Sequence, residues 1–431
     1  MLRRKSASAG RRRVNATNGR RAAEASVSHL LASERAARAA SLHGRFATVA
    51  TTGTNGKTTT TSMIAAIVAA SGQRAASLTT VGAWVDGERV IAQSPSDEFF
   101  STVERAAIVG VETLALEVTS KSLAEGFARQ WPPSVAVFTN LTHDHLDLHG
   151  SMEAYLAAKA QLFMSLLPGG TAVLNADDPA SELLRAVLAK DTRVVDYSIR
   201  GDATLQARTV TARVGGTSVE LAPSPLASAL GGRIELAVSG AVHGQNALAA
   251  TLAADAAGYS AAAIKEGLAL FAGVRGRFEV IAREPLVVVD YAHTPDGLRG
   301  TLESARSLCD GALYCVFGCG GERDREKRPV MGAIADALSD VVVLTSDNPR
   351  REEPSSIAAM IREGASSPRA RWVEELDRQR AIGWAIEHAA ARDVIVIAGK
   401  GHEQTQEHAG RVTPFCDATT ARDALALRDS R

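Results

Sequence analysis

The stretch TTGTNGKTTT at residues 51–60 constrains this chain more than any other part of it. It follows a short apolar run, FATVA (46–50), and leads directly into TSMIAAIVAA (61–70), so a strand, a glycine-bearing loop and a helix succeed one another. Gly53 and Gly56 let backbone N–H groups converge, and the helix N-terminus adds the positive end of its dipole, which together favour a phosphate chain. The expected cradle comprises Gly53, Thr54, Asn55, Gly56, Lys57, Thr58 and Thr59. Lys57 meets the β- and γ-phosphates there, and the Thr58 hydroxyl is placed to ligate Mg²⁺, so ATP with Mg²⁺ is the expected cofactor. Thr51 stands where the strict motif has glycine, which makes the loop a variant. A Gly/Thr-rich turn before a helix is the plain alternative; strand, glycines, Lys-Thr pair and helix agree against it.

The rest of the chain alternates short apolar runs with helical segments, the pattern of a parallel sheet covered by helices. TLALEV (113–118), VAVFTN (135–140) and TAVLNA (171–176) read as strands, and MEAYLAAKAQLFMSLL (152–167) as a helix. Residues 200–240 read as antiparallel strands with glycine turns at 215 and 231, and an Ala-rich segment at 246–271 reads as a helix. A second α/β run begins at PLVVVDY (285–291) and continues through ALYCVFGC (312–319), VVVLTSDNP (341–349) and VIVIAGKG (394–401). The expected fold class is α/β: a central P-loop ATPase domain with a mostly parallel sheet at 45–279, and a Rossmann-like C-terminal domain at 280–431. Residues 1–44 form a basic tail, because eleven Lys or Arg stand against Glu24 and Glu34 in the first forty-five residues. Composition there fits a disordered tail or a misassigned start, with a short helix over 27–40; an organelle transit peptide and a nucleic-acid-binding arm are the other readings.

Over the whole chain 48 Lys and Arg balance 48 Asp and Glu, which argues against a protein that coats nucleic acid. No run of eighteen uncharged apolar residues occurs, so no membrane span is expected. Four cysteines without a C-x-x-C pair point to a reducing cytoplasm and away from a structural zinc.

Several further segments carry a family resemblance. TTGTNGKTTT resembles the phosphate loop of the Mur ligases and of folylpolyglutamate synthase, which form amide bonds with ATP. LEVTSKSL (116–123), FTNLTHDHLDLHG (138–150), YLAAKAQLF (155–163), LNADD (174–178), GAVHGQNALAA (240–250), GVRGRFE (273–279), VVDYAHTPDGL (289–298), GCGGERDREKRPVMG (318–332), DNPR (347–350) and AGKGHE (398–403) follow in the family's order. Within the family the match is closest to the diaminopimelate-adding branch of peptidoglycan synthesis. Amide synthesis from a carboxylate needs the acceptor activated, here as an acyl phosphate, and the γ-phosphate neutralised. Glu117, at a strand end, is a reasonable hard ligand beside Thr58. The resemblance implies that Glu117, His145 and Lys159 hold a second Mg²⁺, with Lys159 carbamoylated by CO₂. It also implies that Asn246 meets the adenine, that Arg277 reaches the phosphates, and that Asp290 and His293 close over ribose and phosphates. Lys57, Lys159, His145 and His293 are thus the catalytic candidates. Arg323, Asn348, Arg350, Gly399 and Glu403 are placed around an amino acid such as meso-diaminopimelate, whose carboxylates Arg323 and Arg350 can grip.

The resemblance has departures on the acceptor side. About fifty residues precede the phosphate loop where the family carries a uridine-binding domain. SPSDEFF (94–100) replaces a muramoyl-contacting TTP stretch, Lys121 stands for a histidine, and Phe127 stands for an arginine. These changes lead to an acceptor that need not be UDP-linked, or to a partner polypeptide that supplies the absent domain. The alternatives are an authentic UDP-N-acetylmuramoyl-tripeptide synthetase and a non-enzymatic, nucleotide-dependent regulator with a basic arm; retention of Lys57, Glu117, His145 and Lys159 disfavours the regulator.

Overall fold

The computed structural model describes residues 37–38, 40–92, 94–365 and 367–430. The basic tail lies outside the described residues as far as residue 36, as does most of the helix expected at 27–40.

Apolar side chains along the early strands alternate between two covered faces, which is why they read as continuous hydrophobic runs. In the strand Ala47–Thr52, Val49 joins one core with Ile64, Ile67, Val137 and Val173. Its neighbour Ala50 joins the opposite core with Leu114, Leu116, Phe138 and Leu174. These strands belong to an eleven-stranded sheet in which Ala47–Thr52 lies between Thr113–Glu117 and Val135–Phe138, parallel to both. The chain fills one side of that first strand before crossing to the other, so the crevice of this doubly wound sheet opens at its carboxyl end. The sheet ends in antiparallel strands, Leu205–Arg213, Gly216–Leu221 and Arg233–Leu236 at one edge, and Gly82–Val85 and Glu88–Val90 at the other.

A second sheet of six strands runs Glu279–Arg283, Leu286–Asp290, Val394–Ala398, Leu313–Phe317, Val341–Leu344, Arg371–Glu374, parallel except for its first pair. It too is buried on both faces, with Val288, Cys315, Val342 and Val396 on one and Val287, Val316, Val343 and Ile395 on the other.

The Ala-rich segment is two helices, not one. Val242–Ala256 ends ahead of Gly258, which has φ +89°, and the hydroxyl of Ser260 then caps Ala261–Leu270 by accepting from Ala263 N. The first helix therefore starts four residues earlier than expected and carries His243 and Asn246 in its opening turns.

Candidate active site

The phosphate loop owes its shape to braces from a neighbouring strand end. Thr54 N donates to Asn140 O at 2.8 Å and Asn55 N to Asn140 Oδ1 at 2.8 Å, while the Thr139 hydroxyl donates to Asn55 O at 2.6 Å. Gly56 adopts φ +86° at the cap of the helix Lys57–Ala70, and a Cβ there would collide with Asn246 Oδ1. Four threonines follow Lys57, a poor helix-forming run, and all four are buried. Thr58 Oγ1 donates to Glu117 Oε2 at 2.8 Å, and Thr60 Oγ1 lies 3.5 Å from Asn246 Oδ1. Thr80 N also donates to Glu117 Oε2, at 3.0 Å. A hydroxyl and a carboxylate side by side form a hard-oxygen donor set suited to Mg²⁺, so these residues fit the cofactor. Lys57 Nζ donates to Thr54 O at 2.7 Å; burial and Arg277 hold its amine below the usual range, against the pull of Glu117 and Asp144.

Lys159 is fully buried inside the helix Met152–Met164. Its amine donates to Gly53 O at 2.6 Å and sits 4.2 Å from the centre of the Tyr155 ring. Burial first, then the nearby Lys57, keeps this amine well below its ordinary range. Tyr155 reaches the loop as well, its hydroxyl 3.2 Å from Thr54 Oγ1. His145 adopts φ 54° at the start of Leu146–His149 and lies 3.2 Å from Asp144, with burial lowering its proton affinity.

Asp144 links the two sheets. Although burial pushes its carboxyl up, His293, His145, Lys327 and the His145 N–H hold it below the carboxylate range. His293, in the loop after the strand Leu286–Asp290, lies 3.7 Å from Asp144; burial lowers its pKa to about 4. The buried Lys327 donates to His293 O at 2.8 Å. On the same seam Arg277 donates to Thr58 Oγ1 at 3.3 Å with its guanidinium over the Tyr291 ring, and His143 Nε2 lies 2.6 Å from Asp324. Gly276, at φ +66°, leaves no room for a Cβ against the backbone of Gly401 and His402. Asp290, expected at the ribose, has its carboxylate taken up by Phe278 N at 2.6 Å, Ala292 N at 2.7 Å and Thr301 Oγ1 at 3.1 Å. It fixes the junction between the two units.

At the far end, Asn348 Nδ2 donates to Glu403 Oε2 at 2.8 Å, and the fully buried Lys400 donates to both Glu403 Oε2 at 2.7 Å and Asn348 Oδ1 at 2.9 Å. Gly399 packs beside Asp347. Arg350, with φ 54°, donates from Nη1 to Gly321 O at 2.6 Å and lies 3.6 Å from Glu407. A Cβ added at Gly320 would have Arg350 Nη1 at 3.2 Å, Arg323 Cγ at 3.6 Å and Asn348 O at 3.9 Å, so these three surround one point. The Arg323 guanidinium, however, turns to Asp147 across the seam at 3.6 Å.

The structure thus gathers Lys57, Thr58, Glu117 and Arg277 at one end, with Lys159 bonded to the phosphate loop there, and Asn348, Arg350, Gly399 and Glu403 at the other, while His145 and His293 both face Asp144. Sequence reasoning missed Asn140, Asp144, Tyr155, Lys327 and Lys400. All five lie inside the quoted motifs, but their task is to hold another functional group, which a motif does not announce.

Residues 51–254 match the model of the Mur ligase middle domain and residues 276–401 that of the Mur ligase glutamate ligase domain. The UDP-N-acetylmuramoyl-L-alanyl-D-glutamate–2,6-diaminopimelate ligase of Bacillus licheniformis is 39% identical over 87% of this chain and 77% of its own length. That of Synechococcus elongatus is 41% identical over 89% and 77%. A solved structure of such a ligase superposes with TM-score 0.62 at 34% identity, over 89% of this chain and 79% of that one. The folylpolyglutamate synthase of Mycobacterium tuberculosis complexed with ADP shares the fold at TM-score 0.69 and 22% identity, covering 93% and 97%.

Proposed function

From the premise that this chain belongs to the Mur ligase family, and is an ATP- and Mg²⁺-dependent, ADP-forming acid–amino-acid ligase, we propose how its two ends divide the reaction. The acceptor carboxylate is activated at the phosphate loop, and meso-diaminopimelate is held by the second unit. The observation that carries this reading is the meeting of Lys57, the Thr58–Glu117 pair and Arg277 at one strand end, with Arg277 arriving from the junction between the sheets.

When bound, ATP and Mg²⁺ supply a phosphoryl group with its charge neutralised, which makes the acceptor carboxylate an acyl phosphate open to an amine. Lys57 and Arg277 stabilise negative charge there. Thr58 and Glu117 would hold one metal, and Glu117, His145 and Lys159 would hold the second. The Lys159 amine, kept neutral by burial, would add to CO₂ and release one proton, so that a neutral amine becomes an anionic carbamate with ligand oxygens. Asn246 meets the base, and Asp290 and His293 bring the second unit onto the nucleotide. Arg350 and Arg323 hold carboxylates of the amine substrate, Arg323 by leaving Asp147, while Asn348 and Glu403 hold its distal ammonium. The four cysteines are free, in keeping with a cytoplasmic enzyme.

For the acceptor, the names of the relatives point first to the UDP-N-acetylmuramoyl dipeptide. A second reading, an acceptor without the UDP-sugar, is favoured by one observation: the two rewritten segments touch, Phe99 packing edge to face on Phe127 with ring centres 5.2 Å apart. Phosphate release measured with each acceptor class, with diaminopimelate or lysine as the amine, tests both. Release that requires diaminopimelate and the UDP-dipeptide supports the first reading, and release only with acceptors lacking the UDP-sugar supports the second. Release indifferent to the amine removes the diaminopimelate assignment.

A further inference from the structure

Arg378 is the first residue of the helix Arg378–His388, yet none of its side chain is exposed. A cation at a helix N-terminus is disfavoured by the dipole and costly to bury, so something else must hold it there. Its guanidinium donates Nε to Asp417 Oδ1 and Nη2 to Asp417 Oδ2, both at 2.7 Å. Asp417 is itself fully buried, in the first turn of Asp417–Asp429, where a helix favours an anion. Of the three N–H groups that remain, two reach backbone carbonyls. Nη2 donates to Ala398 O at 3.0 Å and Nη1 to Ser346 O at 3.3 Å.

Those two carbonyls stand immediately before the two loops of the amine end, Asp347–Arg350 and Gly399–Glu403. The strands that launch the loops, Val341–Leu344 and Val394–Ala398, are not neighbours; Leu313–Phe317 lies between them. No ladder hydrogen bond therefore ties one loop base to the other, and the Arg378 fork spans the gap. At the loop tips, Lys400, Asn348 and Glu403 complete the link through their side chains.

We infer that Arg378, clamped by Asp417, is a positioning residue for the amine substrate, setting the spacing at which Asn348, Arg350, Gly399 and Glu403 act together. This rests on the assignment of those four residues to the amine. Loss of the fork loosens both loops while leaving the phosphate loop untouched.

The test replaces the buried pair by an apolar one, Arg378→Met with Asp417→Leu, which removes the clamp without leaving an unpaired buried charge. Hydrogen exchange is followed in peptides spanning 346–351 and 399–404, with 51–60 as the control. Kinetics are run with UDP-N-acetylmuramoyl-alanyl-glutamate, ATP and meso-diaminopimelate. The expected result is exchange about tenfold faster in the two loops only, and KM for the amine raised about tenfold while KM for ATP stays within about twofold. A folded variant with unchanged loop exchange and unchanged amine KM overturns the inference, and so does faster exchange throughout the chain. Should the double variant fail to fold, Arg378→Lys keeps the charge facing Asp417 but cannot reach both carbonyls, and the same pattern is expected of it. If the wild type rejects diaminopimelate, the amine assignment fails by itself, and the exchange measurement still decides whether Arg378 spaces the loops.

Discussion

The ends proposed for the phosphates and for the amine are built from different material. At the phosphate end the working geometry belongs to backbone and short side chains, held by Thr139 and Asn140 just past the end of the strand Val135–Phe138. At the amine end it belongs to long charged side chains already engaged with one another: Arg350 with Gly321 O and Glu407, Glu403 with Lys400 and Asn348, Arg323 with Asp147. On that proposal a nucleotide meets a shape that is already set, whereas an amino acid must exchange one set of ion pairs for another. Net affinity at the amine end is a difference between two comparable sums. Selectivity can be tuned there by single residues, while changes at the phosphate end act on whether the reaction proceeds at all.

The largest expected effect is at the phosphate end. Lys57→Ala should lower kcat by about a thousandfold or more, since a preorganised cation facing the transferring phosphoryl group is lost. ADP release within tenfold of wild type would break the comparison, because the loop backbone alone would then suffice. Next comes Lys159→Ala, with a loss on the order of a few hundredfold, partly restored by added short carboxylic acids that stand in for the carbamate. Full activity without any addition would take Lys159 out of the reaction.

At the amine end Arg350→Ala should raise KM for diaminopimelate by roughly a hundredfold, about 3 kcal/mol, and leave acceptor-dependent phosphoryl transfer intact. Lysine, which lacks the distal carboxylate, should be affected far less. Equal use of lysine and diaminopimelate by the wild type would show that the paired charges at this end do not select.

A stability measurement sharpens the contrast from the nucleotide side. His243 is buried, neither ring nitrogen has a hydrogen-bond partner, and burial lowers its pKa from 6.5 to about 4. The unfolded chain therefore binds a proton below about pH 6.5 that the folded chain refuses until about pH 4. Stability from this residue is full above pH 6.5 and declines as pH falls, by on the order of 3 kcal/mol at pH 4. Urea denaturation of His243→Phe should show a flatter acid limb than wild type; an identical limb would mean that the histidine is solvated.

How much of this was legible in the sequence depended on the range of the interaction concerned. The strand, loop and helix around Lys57 were readable because the chemistry and the turn lie within a dozen consecutive residues. The strand pair Gly82–Val85 and Glu88–Val90 was also readable in principle, since Asp86-Gly87 is a strong hairpin turn and both residues take positive φ. It went unnoticed, as did the break at Gly258–Ser260. Asn140, Lys327 and Lys400 were not readable by any local rule. Their roles come from partners such as Asn55, 85 residues away, His293, 34 residues away, and Asn348, 52 residues away. Asp290 shows the same limit from the other side, because a motif placed it at the ligand while its carboxylate is committed to the junction.

The contact between Gly56 and Asn246 bears on how such an enzyme can change over generations. Base and phosphate recognition are usually free to drift apart, one residue at a time. Here the side chain proposed to meet the base closes over a loop position that has no room for a Cβ. A bulkier residue at 56 would displace Asn246, and a longer one at 246 would press on the loop. On that assignment the two halves of nucleotide recognition would be inherited together, and a shift to another nucleotide would have to begin with paired substitutions at these two positions.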